Sequence, residues 1–236
     1  MLFLYLYFMI RVEISNREYK IPSKHSEITG RQLHSIKEDK PKAIIKALTD
    51  IKHDIVDKLS HQAVMQLYGI LEFIYEVPDK ACIKQDINVA SEAWLKLELS
   101  KQVLASKNEP YIVAELSRIY FGEEALDWDV TFLYGQTAQI IYSIGVFLER
   151  YRELYEDNEP DPDQLEAGIK GLESFGVGAI RYSLAQGDVT KYEEIEQMSA
   201  ESIYFTLLYE KAKNEYTDRL KEIYERKNGI NSRKNS

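Results

Sequence analysis

A mainly α-helical fold, with a small β-hairpin at its N-terminal end and a long helix at its C-terminal end, is what this sequence predicts. Three observations predict it. The chain of 236 residues holds only 11 glycines and 6 prolines, too few for a fibre or a linker-dominated chain. Its apolar residues recur mostly at three- and four-residue spacing, the period of one helix face. Helix-start chemistry recurs as well, at Thr29 with Gln32, at Ser60, at Thr190 with Glu193 and at Ser199. With 44% apolar and 29% charged residues, the chain suits one generous domain or two small ones.

The opening reads as a hairpin because Val12 and Ile14, then Tyr19 and Ile21, flank the turn-forming pair Ser15 and Asn16, and Pro22 ends the second strand. The capping-box spacing of Thr29 and Gln32 predicts a short helix from Gly30 to Glu38. Pro41 suits the first turn of a second helix with Ile44, Ile45 and Leu48 as its stripe, which Ile51, Ile55 and Leu59 extend. Ser60 caps the next helix, whose core positions are Val64, Leu67, Tyr68, Leu71 and Ile74 or Tyr75, and Pro78 stops it. After a loop from Val77 to about Asn88, Trp94, Leu97, Lys101, Val103 and Leu104 predict a helix ending near Ser106. Pro110 opens another, with Ile112, Val113, Leu116, Ile119 and Tyr120 buried, and Gly122 breaks it.

A long apolar helix is expected from Thr131 to Tyr155, followed by the acidic, proline-containing segment Glu156 to Pro162, a long loop or a domain junction. Leu165, Ile169, Leu172 and Phe175 then mark a helix from Asp163 to Gln186, closed by Gly187 and Asp188. Gly168, Gly171 and Gly178 fall near one face of it and would let another helix approach closely. Thr190 and Glu193 open a short helix to Met198. Ser199 caps the last and longest, with Ile203, Tyr204, Leu207, Leu208, Ala212, Tyr216, Leu220 and Ile223 on one stripe that narrows beyond Leu208. That narrowing predicts a helix that leaves its own body or rests on another chain. The expected organisation is a hairpin with short helices over 1–76, a helical body over 77–227 and a flexible tail over 228–236.

Charge bounds the partners. The chain carries −9, a field that repels phosphate except where cations cluster. One cluster exists: Arg219, Lys221, Arg226, Lys227, Arg233 and Lys234 against Glu222 and Glu225 leave the end from Arg219 at +4 and the remainder at −13. It reads as a basic helix end that complements the helix dipole, or as a handle for nucleic acid or an acidic partner. Met1 to Ile10 is apolar but lacks the basic n-region and small-residue cleavage site of a signal peptide, and is shorter than a membrane span. Met9 offers a second start, which would make Leu2 to Phe8 an upstream extension; an added strand or partner-binding segment is one alternative and a membrane segment the other.

The chain carries little that reads as reactive. Cys82 is the single cysteine, which excludes an intramolecular disulfide framework and a cysteine-rich zinc site, and it reads as an inert thiol. His25, His34, His53 and His61 show no spacing that sets two imidazoles on one helix face, so surface or cap histidines are expected. The stretch from Asp157 to Asp163 alternates acids as a calcium loop does, yet Pro162 stands where the turn needs glycine and Gly168 where the closing glutamate belongs. Gly176-Val177-Gly178 lacks the third glycine and the preceding strand of a dinucleotide fingerprint. Glu123, Glu124, Asp127 and Asp129 around Trp128 read as a solvated turn with helix-start acids, although paired carboxylates can also serve as acid and base or hold magnesium. A hydrolase built on Asp127, Asp129 or the histidines would need them in one deep pocket. Seventeen tyrosines are the compositional oddity, serving either the core or partner contact.

Val12-Glu13-Ile14, Tyr19-Lys20-Ile21-Pro22, Glu27-Ile28-Thr29 and the segment Ala47 to Ile51 leading to Leu59-Ser60 form the opening. The break Leu184 to Asp188, the run Lys191 to Ile195, Tyr209-Glu210-Lys211 and Glu215-Tyr216 form the close. In this order the chain resembles bacteriophage tail assembly chaperones and minor virion components, over its two ends more than its middle. The resemblance implies a noncatalytic protein without metal or cofactor, acting in the host cytoplasm or the virion during tail or virion assembly. Its implied partners are other phage structural or tail proteins and further copies of itself, with no membrane and no nucleic acid except through the basic end. On the residues themselves, Tyr204, Tyr209, Tyr216 and Tyr224 of the last helix are the expected protein-contact positions. The alternative is a nucleic-acid-associated regulatory protein that uses Arg219 to Lys234.

Overall fold

The computed structural model describes residues 10–14, 17–76, 78, 86–155, 165, 166, 168, 171 and 174–234, with side chains as far as residue 227. Strands β1 (Ile10–Ile14) and β2 (Arg17–Ile21) pair antiparallel with Ile10 opposite Ile21 and Ile14 opposite Arg17. Among the described residues ten helices follow: α1 (Gly30–Ser35), α2 (Pro41–Leu48), α3 (His53–Lys58), α4 (His61–Leu71), α5 (Trp94–Leu104), α6 (Glu109–Phe121), α7 (Val130–Arg150), α8 (Val177–Leu184), α9 (Tyr192–Gln197) and α10 (Ala200–Lys234). The mainly helical class, the hairpin and the long final helix are therefore present. None of these helices is long and apolar enough to cross a membrane. The expected turn Ser15–Asn16, Leu2 to Phe8, Cys82, the segment Glu156 to Pro162 and the acidic stretch to Asp163 lie outside the described residues.

The chain divides into two compact units, one of Met1–Ile87 with Leu99–Ser143, the other of Asn88–Glu98 with Ile144–Ser236. This differs from a linear division at residue 76. Val113, Ala114, Leu126, Val130, Leu133 and Tyr134 belong to the same buried core as Ile21, Leu33, Ile44, Ile45 and Leu71, so α6 and the first part of α7 complete the first unit.

In that first unit the local signals act much as their chemistry requires. The Thr29 hydroxyl accepts from the Gln32 N–H at 3.3 Å while Gln32 Oε1 accepts from the Thr29 N–H at 2.9 Å, closing the capping box. Ile44, Ile45 and Leu48 are fully buried along α2. The stripe does not continue helically through Ile51. The Thr49 hydroxyl donates to the Ile45 carbonyl at 2.7 Å and accepts from the Ile51 N–H at 3.3 Å, which ends α2 and tucks Ile51 into the core. Helix α3 then restarts at His53 and buries Val56, leaving Ile55 and Leu59 half-buried. Ser60 caps α4 at 3.2 Å, and α4 gives way at Leu71 to a 3-10 turn over Glu72–Tyr75 that seats Ile74 in the core, well before Pro78. Asn108 both caps α6 and donates from its amide to the Ile36 carbonyl at 2.7 Å, joining α6 to the end of α1. Gly122 closes α6 at a φ of +85°, a conformation glycine adopts without penalty.

One device recurs that the sequence did not announce. In the first unit a 3-10 turn (His25–Glu27) leads through Thr29 into α1, another (Glu123–Asp127) leads through Asp129 into α7, and Thr29 and Asp129 form an isolated antiparallel bridge. The second unit repeats it: the turn Val89–Ser91 leads through Ala93 into α5, α9 leads through Ser199 into α10, and Ala93 bridges Ser199. There the Trp94 N–H donates to the Met198 carbonyl at 2.7 Å and the Ala200 N–H to the Glu92 carbonyl at 2.8 Å. Helix N-termini leave their first N–H groups without intrahelical partners, and mutual pairing satisfies one on each helix.

Several expectations for the second unit are corrected. No single helix runs from Asp163 to Gln186: α8 begins only at Val177, after Gly176 at a φ of +47°, while Leu165 and Phe175 are exposed. Among the described residues the glycine stripe makes no close approach: a Cβ placed on Gly168, Gly171 or Gly178 would meet none of them within 4 Å. Asp188 is the cap before α9, accepting from the Thr190 N–H at 3.1 Å and hydroxyl at 2.6 Å, so Thr190 is the capped residue and no Thr190–Glu193 box forms. At the C-terminal end the backbone is helical through Lys234, into the stretch expected as a flexible tail.

Candidate protein-contact surface

Helix α10 starts where Ser199 Oγ accepts from the Ser202 N–H at 3.2 Å. Its first two turns belong to the core of the second unit. Ile203 and Tyr204 are 1% and 3% exposed. The Tyr204 ring lies edge-on to Phe147 at 5.0 Å and Tyr151 at 5.5 Å, with Tyr155 at 6.2 Å. Its hydroxyl accepts from the Tyr155 hydroxyl at 2.5 Å and donates to Glu98 at 3.2 Å. Burial, then these hydrogen bonds, push the Tyr204 hydroxyl pKa far upward, so the phenol stays neutral. The expected contact role of Tyr204 is corrected accordingly: its side chain packs inward, because its ring is held against Phe147 and Tyr151.

Beyond Leu208 most of the helix is exposed, and Phe205 already faces outward. Phe205, Tyr209, Tyr216 and Tyr224 are 63%, 60%, 61% and 57% exposed. Lys211 reaches back to the Glu153 carbonyl, and Lys213–Glu210 and Arg219–Glu215 form ion pairs along the helix surface at 3.4 and 3.9 Å. Spaced charges of this kind support a solvated helix only weakly. The exposed aromatics supply no such support, since each keeps a large apolar ring in water.

The first unit holds a different constellation that motif reading passed over. His34 Nε2 lies 2.6 Å from Glu115 Oε2, and Arg118 donates to both oxygens of the same carboxylate at 2.9 and 2.5 Å. Glu115 is only 7% exposed, and His34 stacks on Tyr111, over which Lys37 sits at 4.8 Å. The hydrogen bonds from Arg118, opposed by burial and assisted by His34, hold the Glu115 carboxyl below its usual range. His34 is thus a helix-to-helix tie, and His25, edge-on to Phe73 and Tyr134, is half-buried; neither is the surface or cap histidine expected. A group depressed on folding contributes stability that is present above its unfolded pKa and disappears as pH falls through the folded one. Stability is therefore expected to drop on acidification below the ordinary glutamate range, and Glu115→Gln should flatten that acid limb in urea melts taken at stepped pH.

The acidic group around Trp128 does not converge. Asp127 accepts two hydrogen bonds from Arg31 at 2.5 and 2.8 Å, Glu123 pairs with Arg118 at 3.3 Å, and Asp129 caps α7 through the Thr131 N–H at 2.8 Å. A cavity of about 340 Å³ in the first unit is lined by Ser35, Lys37, Glu38, Lys46 and His53, none of them from that group. There Lys46 pairs with Asp57 and Glu38 with Lys40, so these polar groups are engaged in structural contacts.

Comparison with protein-family models, curated proteins and solved structures returns no match. Functional inference therefore rests on the residues of the two units themselves. Of the four tyrosines expected as contact positions, Tyr209, Tyr216 and Tyr224 stand on the outer part of α10 and Tyr204 in the core. The sequence signal for this split was the narrowing of the stripe after Leu208.

Proposed function

We propose that this is a noncatalytic bacteriophage protein that acts in tail or virion assembly through protein contacts made by α10. The single observation that carries the contact mechanism is the run of exposed aromatics, Phe205, Tyr209, Tyr216 and Tyr224, on a helix otherwise dense in charge. Rigid aromatic side chains offer large contact area at low entropic cost, which is why they concentrate where proteins meet. The phage setting comes from the order of hairpin, compact helices and long Tyr/Glu/Lys helix, which resembles tail assembly chaperones and minor virion components.

The test is a binding assay between the full chain and tail or virion proteins encoded beside it. Replacing Tyr209, Tyr216 and Tyr224 together with alanine should weaken capture at least about tenfold, since exposed anchors that become buried in a complex commonly each cost 1 kcal/mol or more. Circular dichroism should show the body still folded. Undiminished binding by the triple variant rejects the proposal.

A nucleic-acid-associated regulator is the second reading, favoured by the exposure of Arg219, Lys221, Arg226 and Lys227 on the outer half of α10. It predicts DNA or RNA affinity that falls steeply with added salt and is lost with these cations. Binding unaffected by salt, or none, removes it.

A further inference from the structure

We propose that α10 pairs with α10 of a second copy of this chain, antiparallel and centred on Tyr216; this rests on the reading of α10 as a protein-contact element. A helix advances about 100° per residue, so Phe205, Tyr209, Ala212, Tyr216, Leu220 and Ile223 share an arc of about 80°. Phe205, Tyr209 and Tyr216 are more than half exposed, and Ala212 is exposed beside them. A single helix of this length in water lacks the tertiary packing from which helices in proteins draw most of their stability.

Charge selects the occupant and its direction. Glu215 and Arg219 lie along one edge of the arc, with side chains 50% and 68% exposed. When a second α10 runs antiparallel with Tyr216 facing Tyr216, that edge meets itself in reverse, and Glu215 of each copy falls beside Arg219 of the other. The same register sets Tyr209 against Ile223 and Ala212 against Leu220, alternating large with small. It also brings Lys227 over Phe205, a cation on an aromatic face. Residues 200–218 carry a net −2 and residues 219–227 a net +2, so the two halves attract when reversed. In a parallel pair that edge would face the opposite edge of the partner, so Glu215 and Arg219 would lose the reciprocal cross-pairs that the antiparallel arrangement gives.

Sedimentation equilibrium of the full chain should give a mass near twice 27.5 kDa. Arg219→Glu should weaken the dimer about tenfold or more, and Arg219→Glu combined with Glu215→Arg should restore it, because the exchange keeps each cross-pair opposite in sign. Direction is read by crosslinking in a Cys82→Ser background. The double variant Tyr209→Cys with Ile223→Cys should form covalent dimers on oxidation, and neither single variant should. A monomer throughout the concentration range overturns the proposal, as does a dimer insensitive to Arg219→Glu or crosslinked by a single cysteine. If the chain stays monomeric while the triple tyrosine variant loses a tail partner, the second copy is excluded and the wider contact role stands. If neither self-association nor partner binding responds to α10, both fail.

Discussion

Replacing Tyr204 with alanine is expected to lower the stability of the second unit by about 3–5 kcal/mol, the range for removing a large buried aromatic. For a chain of this size that corresponds to a melting temperature lower by on the order of 10 °C. The side chain is 3% exposed and packs against Phe147, Tyr151 and Tyr155, while its hydroxyl donates to Glu98, itself 4% exposed. Alanine removes the ring contacts and takes one donor from a buried carboxylate. Tyr204→Phe keeps the ring and should cost only about 1–2 kcal/mol. Tyr209→Ala, Tyr216→Ala and Tyr224→Ala should each stay within about 0.5 kcal/mol of the parent, as exposed substitutions do. Urea melts of the four alanine variants decide the matter: equal losses at positions 204 and 216 would contradict the division of α10 into a packed base and an outward-facing remainder.

The second large effect falls in the first unit. Gly30→Ala would ordinarily favour a helix, since alanine exceeds glycine in helix propensity by about 1 kcal/mol. Here the sign reverses. A Cβ on Gly30 would sit 2.6 Å from Leu133 Cδ1, 2.8 Å from the Leu126 carbonyl oxygen and 3.0 Å from the Leu126 Cα. The leucine methyl can rotate away, but the backbone at Leu126 belongs to the turn Glu123–Asp127 that leads into α7, so the helix start must shift. Overpacking of this kind costs about 1–3 kcal/mol, and Gly30→Val should exceed Gly30→Ala. Thermal melts check it; a Gly30→Ala protein as stable as the parent would show that the contact relaxes freely.

Local chemistry was legible where it acts over one turn. The Thr29–Gln32 box, the Ser60 and Ser199 caps, Gly122 and the apolar positions of α2 and α6 all use neighbours within four residues, and periodicity reveals such neighbours. Reading failed where a distant group competes or a local alternative wins. Thr49 turned its hydroxyl onto the backbone and broke a stripe that looked continuous. Asp188 takes the capping role that the spacing of Thr190 and Glu193 predicts for them. Gly176 at positive φ interrupted a pattern whose apolar spacing alone read as one helix. The contact between His34 and Glu115 joins residues 81 positions apart, and no motif anticipates a pairing at that separation.

The candidate surface was legible in part for the same reason. A stripe that thins after Leu208 marks where burial stops, yet the residue at which it stops depends on what lies opposite. Tyr204 and Phe205 are adjacent in sequence and chemically alike, and one is 3% exposed and the other 63%.

By itself the sequence determined the helical class, the hairpin, most helix starts and the long charged helix, because these follow from backbone propensity and neighbours a turn away. Only the tertiary structure decided which residues form each of the two units, the mutual pairing of helix starts at Thr29 with Asp129 and Ala93 with Ser199, and which tyrosines face inward. Those outcomes depend on contacts between residues a hundred positions apart, whose energies arise only once the chain has closed on itself.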